Sequence, residues 1–298
     1  IGDPIAEFFA NFNRAFACLQ TGNGAQFDIH IDACNAIADH LDQRYERWVV
    51  AYMRSTRALL AGDTGRAEEH ANAALTIGAD SAPEAFSVYG AQLLSIRRVQ
   101  GRVAEVVDLI AQAADDNPGL PILRAALARI LCEVDRNDEA LAVINSDLAD
   151  GLTQFPYDIA WLPTMTNLAY VSIQLVRPDT ARLLYQRMLP RHAQVASVGS
   201  AIDGPVALYL GALSTFFRAY EDAEGHFAEA REVSRNLRAP YWAGLTQVEW
   251  ARMLLQRNCS DDARTATTML TRELDRAKQY GFAALETQVN GLLLPEDR

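Results

Sequence analysis

Glycine and proline are scarce, 17 and 11 in 298 residues. An all-β chain of this length needs more turn punctuation than that. Lysine is all but missing. Lys278 stands alone among 26 arginines, which together with 49 alanines reads as a GC-rich coding bias. The four cysteines, Cys18, Cys34, Cys132 and Cys259, lie far apart and form no CxxC pair. That excludes a disulfide framework and fits a reducing cytoplasm. No apolar run reaches 18 residues, so no membrane contact is expected. The start, Ile1-Gly2-Asp3-Pro4, has neither a basic region nor a signal-peptide core. It also lacks Met, and the expectation is a piece of a longer protein. Basic charge is in deficit: the net charge of −11 argues against direct nucleic-acid binding over a broad surface.

Catalytic motifs are missing too. There is no GxxxxGK[ST] loop and no GxGxxG opening a helix, so a phosphate cradle is unsupported. HExxH, GxSxG and SxxK are likewise absent. No catalytic residue, metal or cofactor is expected.

What is there is helical periodicity. Apolar positions recur at helical spacing over 4–20, 26–42, 43–61, 64–78, 82–100, 102–116, 119–134, 138–150, 157–176, 179–191, 204–218, 220–237, 239–257, 261–280 and 282–293. No strand-like alternation competes. Gly62 suits a left-handed helix cap. Ser81-Ala82-Pro83-Glu84 predicts a capping box. Asp261 and Asp262 fall at the positive end of a helix dipole.

The helices repeat as pairs. In 204–240, Leu210-Gly211 is followed by Ala223, Phe227 and Ala230, with Pro240 after the second helix. This spacing resembles a tetratricopeptide repeat, in which small residues let two helices approach and the aromatic fills the gap. Leu168-Ala169 with Ala181, Tyr185 and Met188 repeats the skeleton more faintly, as does Leu127-Ala128 with Ala140 and Ile144. Ala67, Ala71 and Ala74 keep the second-helix spacing, Ala104 is the nearest match in the next unit, and Ala251 precedes Ala263 or Ala266. One pair cannot bury both its apolar faces, so the units must stack. The expected fold is all-α: a tetratricopeptide-like helical-repeat solenoid, a right-handed superhelix of about seven pairs, forming a single domain over 1–298.

In such a solenoid the first helices line the concave face. The repeat register places Tyr52, Arg129, Asn167, Tyr170, Gln174 and Arg252 there. Tyrosine, amide and guanidinium suit a peptide or polar ligand, and the two arginines suit acidic groups on a partner. Ordinary polar filling of a solvated groove gives the same residue types. Trp48, Trp161, Trp242 and Trp250 read as core, although Trp161, after Phe155-Pro156-Tyr157, also suits a binding groove. The connector 192–203 is either packed structure or a partner loop. His30 and Cys34, four apart with Asp28 and Asp32 nearby, read as a helix face rather than a metal site, and His226 as an exposed position. The pairs Glu68-Glu69, Asp115-Asp116 and Asp261-Asp262 read as helix ends and polar faces.

Three segments carry a wider resemblance: RYERWVVAYMRSTRALLAGDTGRAEEHANAAL (44–75), the run VYGAQLLSIRRVQGRVAEVVDLIAQAADDNPGLPILRAALARILCEVDRNDEAL, and LGALSTFFRAYEDAEGHFAEAREVSRNLRAPYWAGLTQVEWARMLLQR. Together they resemble the tetratricopeptide-like C-terminal region of large bacterial signalling ATPases, common in actinobacteria. Those proteins join such a region to an ATPase module with an adenylate cyclase-like domain, or to a helix-turn-helix of the LuxR type. The resemblance implies a cytoplasmic, non-enzymatic arm for protein interaction in signalling or transcription regulation. The arm would meet a protein or peptide partner or a small-molecule inducer. The resemblance supplies no fixed ligand residues. A ligand-sensor domain and a helical enzyme with an unrecognised site are the alternatives.

Overall fold

The computed structural model describes residues 2–149, 151–153 and 155–294. Among them fifteen α-helices follow in order. The first six are α1 (Pro4–Gln20), α2 (Gly24–Leu41), α3 (Arg44–Leu60), α4 (Thr64–Gly78), α5 (Ala85–Val99) and α6 (Val107–Asp116). Then come α7 (Pro121–Glu133), α8 (Asn137–Ala149), α9 (Trp161–Gln174), α10 (Pro178–Met188) and α11 (Val206–Phe216). The last four are α12 (Tyr220–Asn236), α13 (Pro240–Arg257), α14 (Asp262–Tyr280) and α15 (Ala283–Leu293). Short 3-10 turns precede α6 (Val103–Val106) and follow α10 (Leu189–Arg191). No described helix is long and apolar enough to cross a membrane.

Local chemistry sets the helix starts. Side chains of Asp3, Asn23 and Asp63 accept backbone N–H bonds of 2.9, 3.2 and 2.9 Å at the starts of α1, α2 and α4. Proline opens α1, α7, α10 and α13, where an N–H would have no helical partner anyway. The capping box expected at Ser81 does not form. Its hydroxyl donates back to the Ile77 carbonyl (3.1 Å), closing the end of α4, and α5 begins only at Ala85. At α9 the Asp158 carboxylate accepts the Ala160 N–H (2.9 Å), which delays the helix to Trp161.

Consecutive helices pack as pairs, α1 with α2 through α13 with α14, and α15 packs on α14 and α13. Between the helices of each pair the chain passes through one residue with positive φ. These are Gly22, Gly62, Gly101, Asp135, Val176, Arg218 and Asn258, 34 to 42 residues apart. At the first six, the next N–H reaches the carbonyl five residues back, as from Asp63 to Ala58 and from Arg177 to Ser172. This bond satisfies a carbonyl that the helix end leaves open. Gly62 takes its expected left-handed place, φ 86°.

The small residues mark the close contacts. Ala67, Ala140, Ala181 and Ala223 are wholly buried. A Cβ on Gly211 would stand 2.6 Å from the Phe227 ring, so the glycine makes room for the aromatic. Ala266 is buried and Ala263 exposed, which settles the register of the last pair. Ala104 departs from expectation: it is exposed on a 3-10 turn, and Val107 is the buried residue there.

The row of pairs bends until its ends meet. Asp28 on α2 pairs with Arg57 on α3 and with Arg238 before α13. Gly24 lies against the carbonyls of Asn236 and Leu237, and Gly62 against Phe282 and Pro240. Gly101 meets Ala283 and Ala284, and α5 touches α15. The buried apolar residues accordingly form one cluster reaching from Phe8 to Val289.

Strands were not expected, yet the 192–203 connector builds two. β1 (Val195–Ser197) and β2 (Ile202–Pro205) pair antiparallel, with a bulge between Ala196 and Ser197. With three and four residues they are too short for alternation to register in the sequence. The hairpin packs on α1, α9, α11 and α12. Thr56 of α3 donates to the Gly199 carbonyl at its tip (2.9 Å). Gly204, at φ 104°, lies so close to Trp242 of α13 that a Cβ would overlap the indole.

Candidate functional site

Two places gather the residues that the sequence singled out. The first is where α5, α7, α9 and α11 face the hairpin. Arg129 of α7 donates from Nε to Glu133 Oε1 (2.9 Å) and from Nη1 to the Tyr209 hydroxyl (2.9 Å), with Asn167 Oδ1 at 3.4 Å. Arg98 of α5 donates from Nε to both Glu133 oxygens (3.0 and 3.2 Å) and from Nη1 to Asp203 Oδ1 (3.2 Å). Asp203 lies on β2. Its other oxygen accepts from Asn167 Nδ2 (3.0 Å), and its carbonyl accepts from the Tyr209 hydroxyl (2.7 Å). Arg129 also lies over the ring of Tyr170, 4.9 Å from its centroid.

Two guanidinium groups thus face two carboxylates, all with side chains no more than 13% exposed. Burial by itself would lower the Arg129 pKa. The hydrogen bond to the Tyr209 hydroxyl and the negative charges of Glu133 and Asp203 reverse that, and it is held well above the arginine value. Burial likewise pushes Glu133 upward, but Arg98 and Arg129 outweigh it and hold the acid below its ordinary value. Desolvation raises Tyr209, Tyr170 and Tyr241. The quartet is charge-balanced, although Arg98 Nη2 is buried and meets no acceptor among the described residues.

Of the residues assigned to the groove, Arg129 and Asn167 meet here, with Tyr170 on the flank. What occupies them is the chain's own Asp203. Tyr52 is buried elsewhere, between Trp48 (ring centroids 5.1 Å apart) and Phe12, and its carbonyl accepts from Gln92. Gln174 and Arg252 are exposed and join neither group; Arg252 pairs with Glu249 (3.3 Å). Arg98, Glu133, Asp203 and Tyr209 were missed. Asp203 carried one signal, its place at the end of the long connector.

The second place is a shallow cleft at the starts of α7 and α9. Leu120, Pro121, Ile122, Phe155, Pro156, Asp158 and Trp161 line it. Trp161 is buried, and the exposed Tyr157 lies tilted beside it, ring centroids 4.8 Å apart.

Elsewhere His30, His192 and His226 have side-chain partners, His192 pairing with Glu229 (2.6 Å). His30 bonds Asn11 (2.9 Å), Cys34 is buried against the Phe8 carbonyl, and His226 is half-buried beside the Tyr185 hydroxyl (3.1 Å). No cluster of metal-ligating side chains occurs among the described residues. Asp262 sits at the start of α14 as expected; Arg257 and the Cys259 N–H hold its pKa at about 2. Asp115 and Asp116, in contrast, end α6 at its negative pole.

No family model, no curated protein and no solved structure matches this chain.

Proposed function

We propose that the chain is a non-enzymatic, tetratricopeptide-like interaction module that binds a segment of a protein partner. On this reading it serves as the arm of a bacterial signalling or transcription regulator. The observation that carries the reading is the recurring pair: one left-handed turn every 34 to 42 residues, with alanine or glycine where the helices touch. Stacked pairs present long surfaces, and that is how repeat folds recognise extended partners. Chemistry, in contrast, needs groups poised toward a substrate, and in the charged cluster here the charges are met by the cluster's own members. A small-molecule inducer at the axis, the place where α5, α7, α9 and α11 face the hairpin, would need room that the hairpin fills.

The hairpin also suggests how binding would be transmitted. It touches α1, α3, α9, α11, α12 and α13, so a change in the pitch of the pairs must move it or strain it. A random peptide display library panned against the whole chain tests the reading. Enrichment of sequences that bind as free peptides supports it. Enrichment of none, or turnover of a metabolite that one pocket variant abolishes, overturns it.

A further inference from the structure

At the cleft formed by the starts of α7 and α9 the chain leaves several large apolar side chains uncovered. Leu120 lines the cleft and is 51% exposed; Tyr157, beside Trp161, and Ile159, between the lining residues Asp158 and Ala160, are 65% and 53% exposed. Isolated exposed aliphatics need no explanation. A cluster of them beside a cleft does, because it loses the hydrophobic free energy that burial would give.

The charges around the cleft say what would cover it. Asp158 lines it directly. Asp115 and Asp116 end α6, and only Asn117 and Pro118 separate them from Gly119 on the cleft wall. Two carboxylates at a helix C-terminus add to the negative pole that the open carbonyls already make. Among the described residues, no cation lies within ion-pair distance of either carboxylate. Asp116 is met only by the amide of Gln112 (2.8 Å). The nearby arginines are committed: Arg124 to Asp147 and the Pro118 carbonyl, Arg187 to the Gly151 and Leu152 carbonyls, and Arg191 to the face of Tyr157. Among the described residues, none of these arginines pairs with Asp115, Asp116 or Asp158.

We infer that the cleft docks a protein segment carrying a large aliphatic or aromatic anchor flanked by lysine or arginine. The anchor covers Trp161, Phe155 and Pro156 between Leu120 and Ile159. The flanking cations meet Asp158 on one side and the Asp115-Asp116 end of α6 on the other. This rests on the interaction reading above and names its surface and its partner chemistry.

The test uses the whole chain and three fluorescein-labelled peptides: leucine and tryptophan anchors between lysines, the same anchors between glutamates, and lysines without anchors. The first should bind and weaken as salt rises, since exposed charge pairs are screened. The other two should not bind. Ile159→Asp or Leu120→Asp should abolish binding. The double variant Asp115→Asn, Asp116→Asn should weaken it by about tenfold. All these positions are exposed, so none of the changes should lower the melting temperature, and the α6 double variant should raise it slightly by relieving the helix end. Glu221→Gln with Asp222→Asn removes the same charge from α12 and should leave affinity unchanged. Equal loss from the α12 control would show a general charge effect and overturn the site. So would binding of the glutamate peptide, or self-association of the chain that Ile159→Asp abolishes, which would assign the cleft to a second copy. If library peptides bind but none senses Ile159→Asp, this site falls and the interaction reading stands. If no peptide binds at all, both fall.

Discussion

Two regions bury a carboxylate and treat it in opposite ways. At the axis, Glu133 and Asp203 are enclosed by Arg98 and Arg129, and the pairings hold Glu133 below its ordinary value. Between α13 and α14, Glu273 is 3% exposed and packs against Gly244, where a Cβ would overlap its Oε1. Its nearest cation is Arg276 Nη1 at 3.9 Å, on a side chain largely in water. Desolvation wins there, and the acid is pushed up to about 7. Burial alone therefore does not set the charge state. The number of cations buried with the acid does.

The axis should break hardest. Asp203→Asn keeps the shape but leaves Arg98 and Arg129 facing one carboxylate in a dry site. Removing one partner from a buried pair costs about 3–5 kcal/mol. The hairpin joins α1 and α3 to α9, α11, α12 and α13, so the loss should appear as a global fall in the urea midpoint rather than as local fraying. Adding Arg98→Met should restore part of it by removing the orphaned charge. A loss under about 1 kcal/mol would mean that water already relieves the quartet.

Glu273 should respond to pH instead. Its folded pKa, about 7, exceeds the reference of 4.5. The folded state therefore holds the proton more tightly. The contribution is fully present below pH 4.5 and is lost as pH rises through about 7. The difference amounts to about 2–4 kcal/mol. Glu273→Gln should be the more stable form at pH 8, and its urea midpoint should lack that descent. Subtracting the two pH profiles isolates the one group from the other acids. Parallel profiles would show that Glu273 stays solvated.

Neither carboxylate could be assigned from the sequence. In the repeat register Glu273 falls where Ala230 sits in the preceding pair, and only the neighbouring Gly244 explains how it fits. Asp203 lies 74 residues from Arg129 and 105 from Arg98, with nothing local to link them. The helices were legible because their apolar spacing is local, and so were the alanines at 67, 140, 181 and 223. Where helices moved, a polar side chain chose another partner, as Ser81 and Asp158 did. The period was faint because backbone shape, not residue type, repeats. Glycine holds the left-handed turn at 22, 62 and 101, but Asp135, Val176, Arg218 and Asn258 hold it later.

The smallest effect sharpens the contrast most. Arg276 lies 3.9 Å from Glu273 and lowers its pKa, yet its side chain is 62% exposed. An exposed partner is worth about 0.2–1 kcal/mol and is screened by salt. Arg276→Gln should therefore move the Glu273 descent slightly toward higher pH at low ionic strength, and not at all at high salt. In a Glu273→Gln background the same change should do nothing, which a double-mutant cycle in urea would read directly. At the axis, the equivalent removal of a buried arginine should keep its full cost at any salt concentration. If Arg276→Gln instead matched that cost, Glu273 would be ionised and paired in the fold, and the two regions would obey one rule.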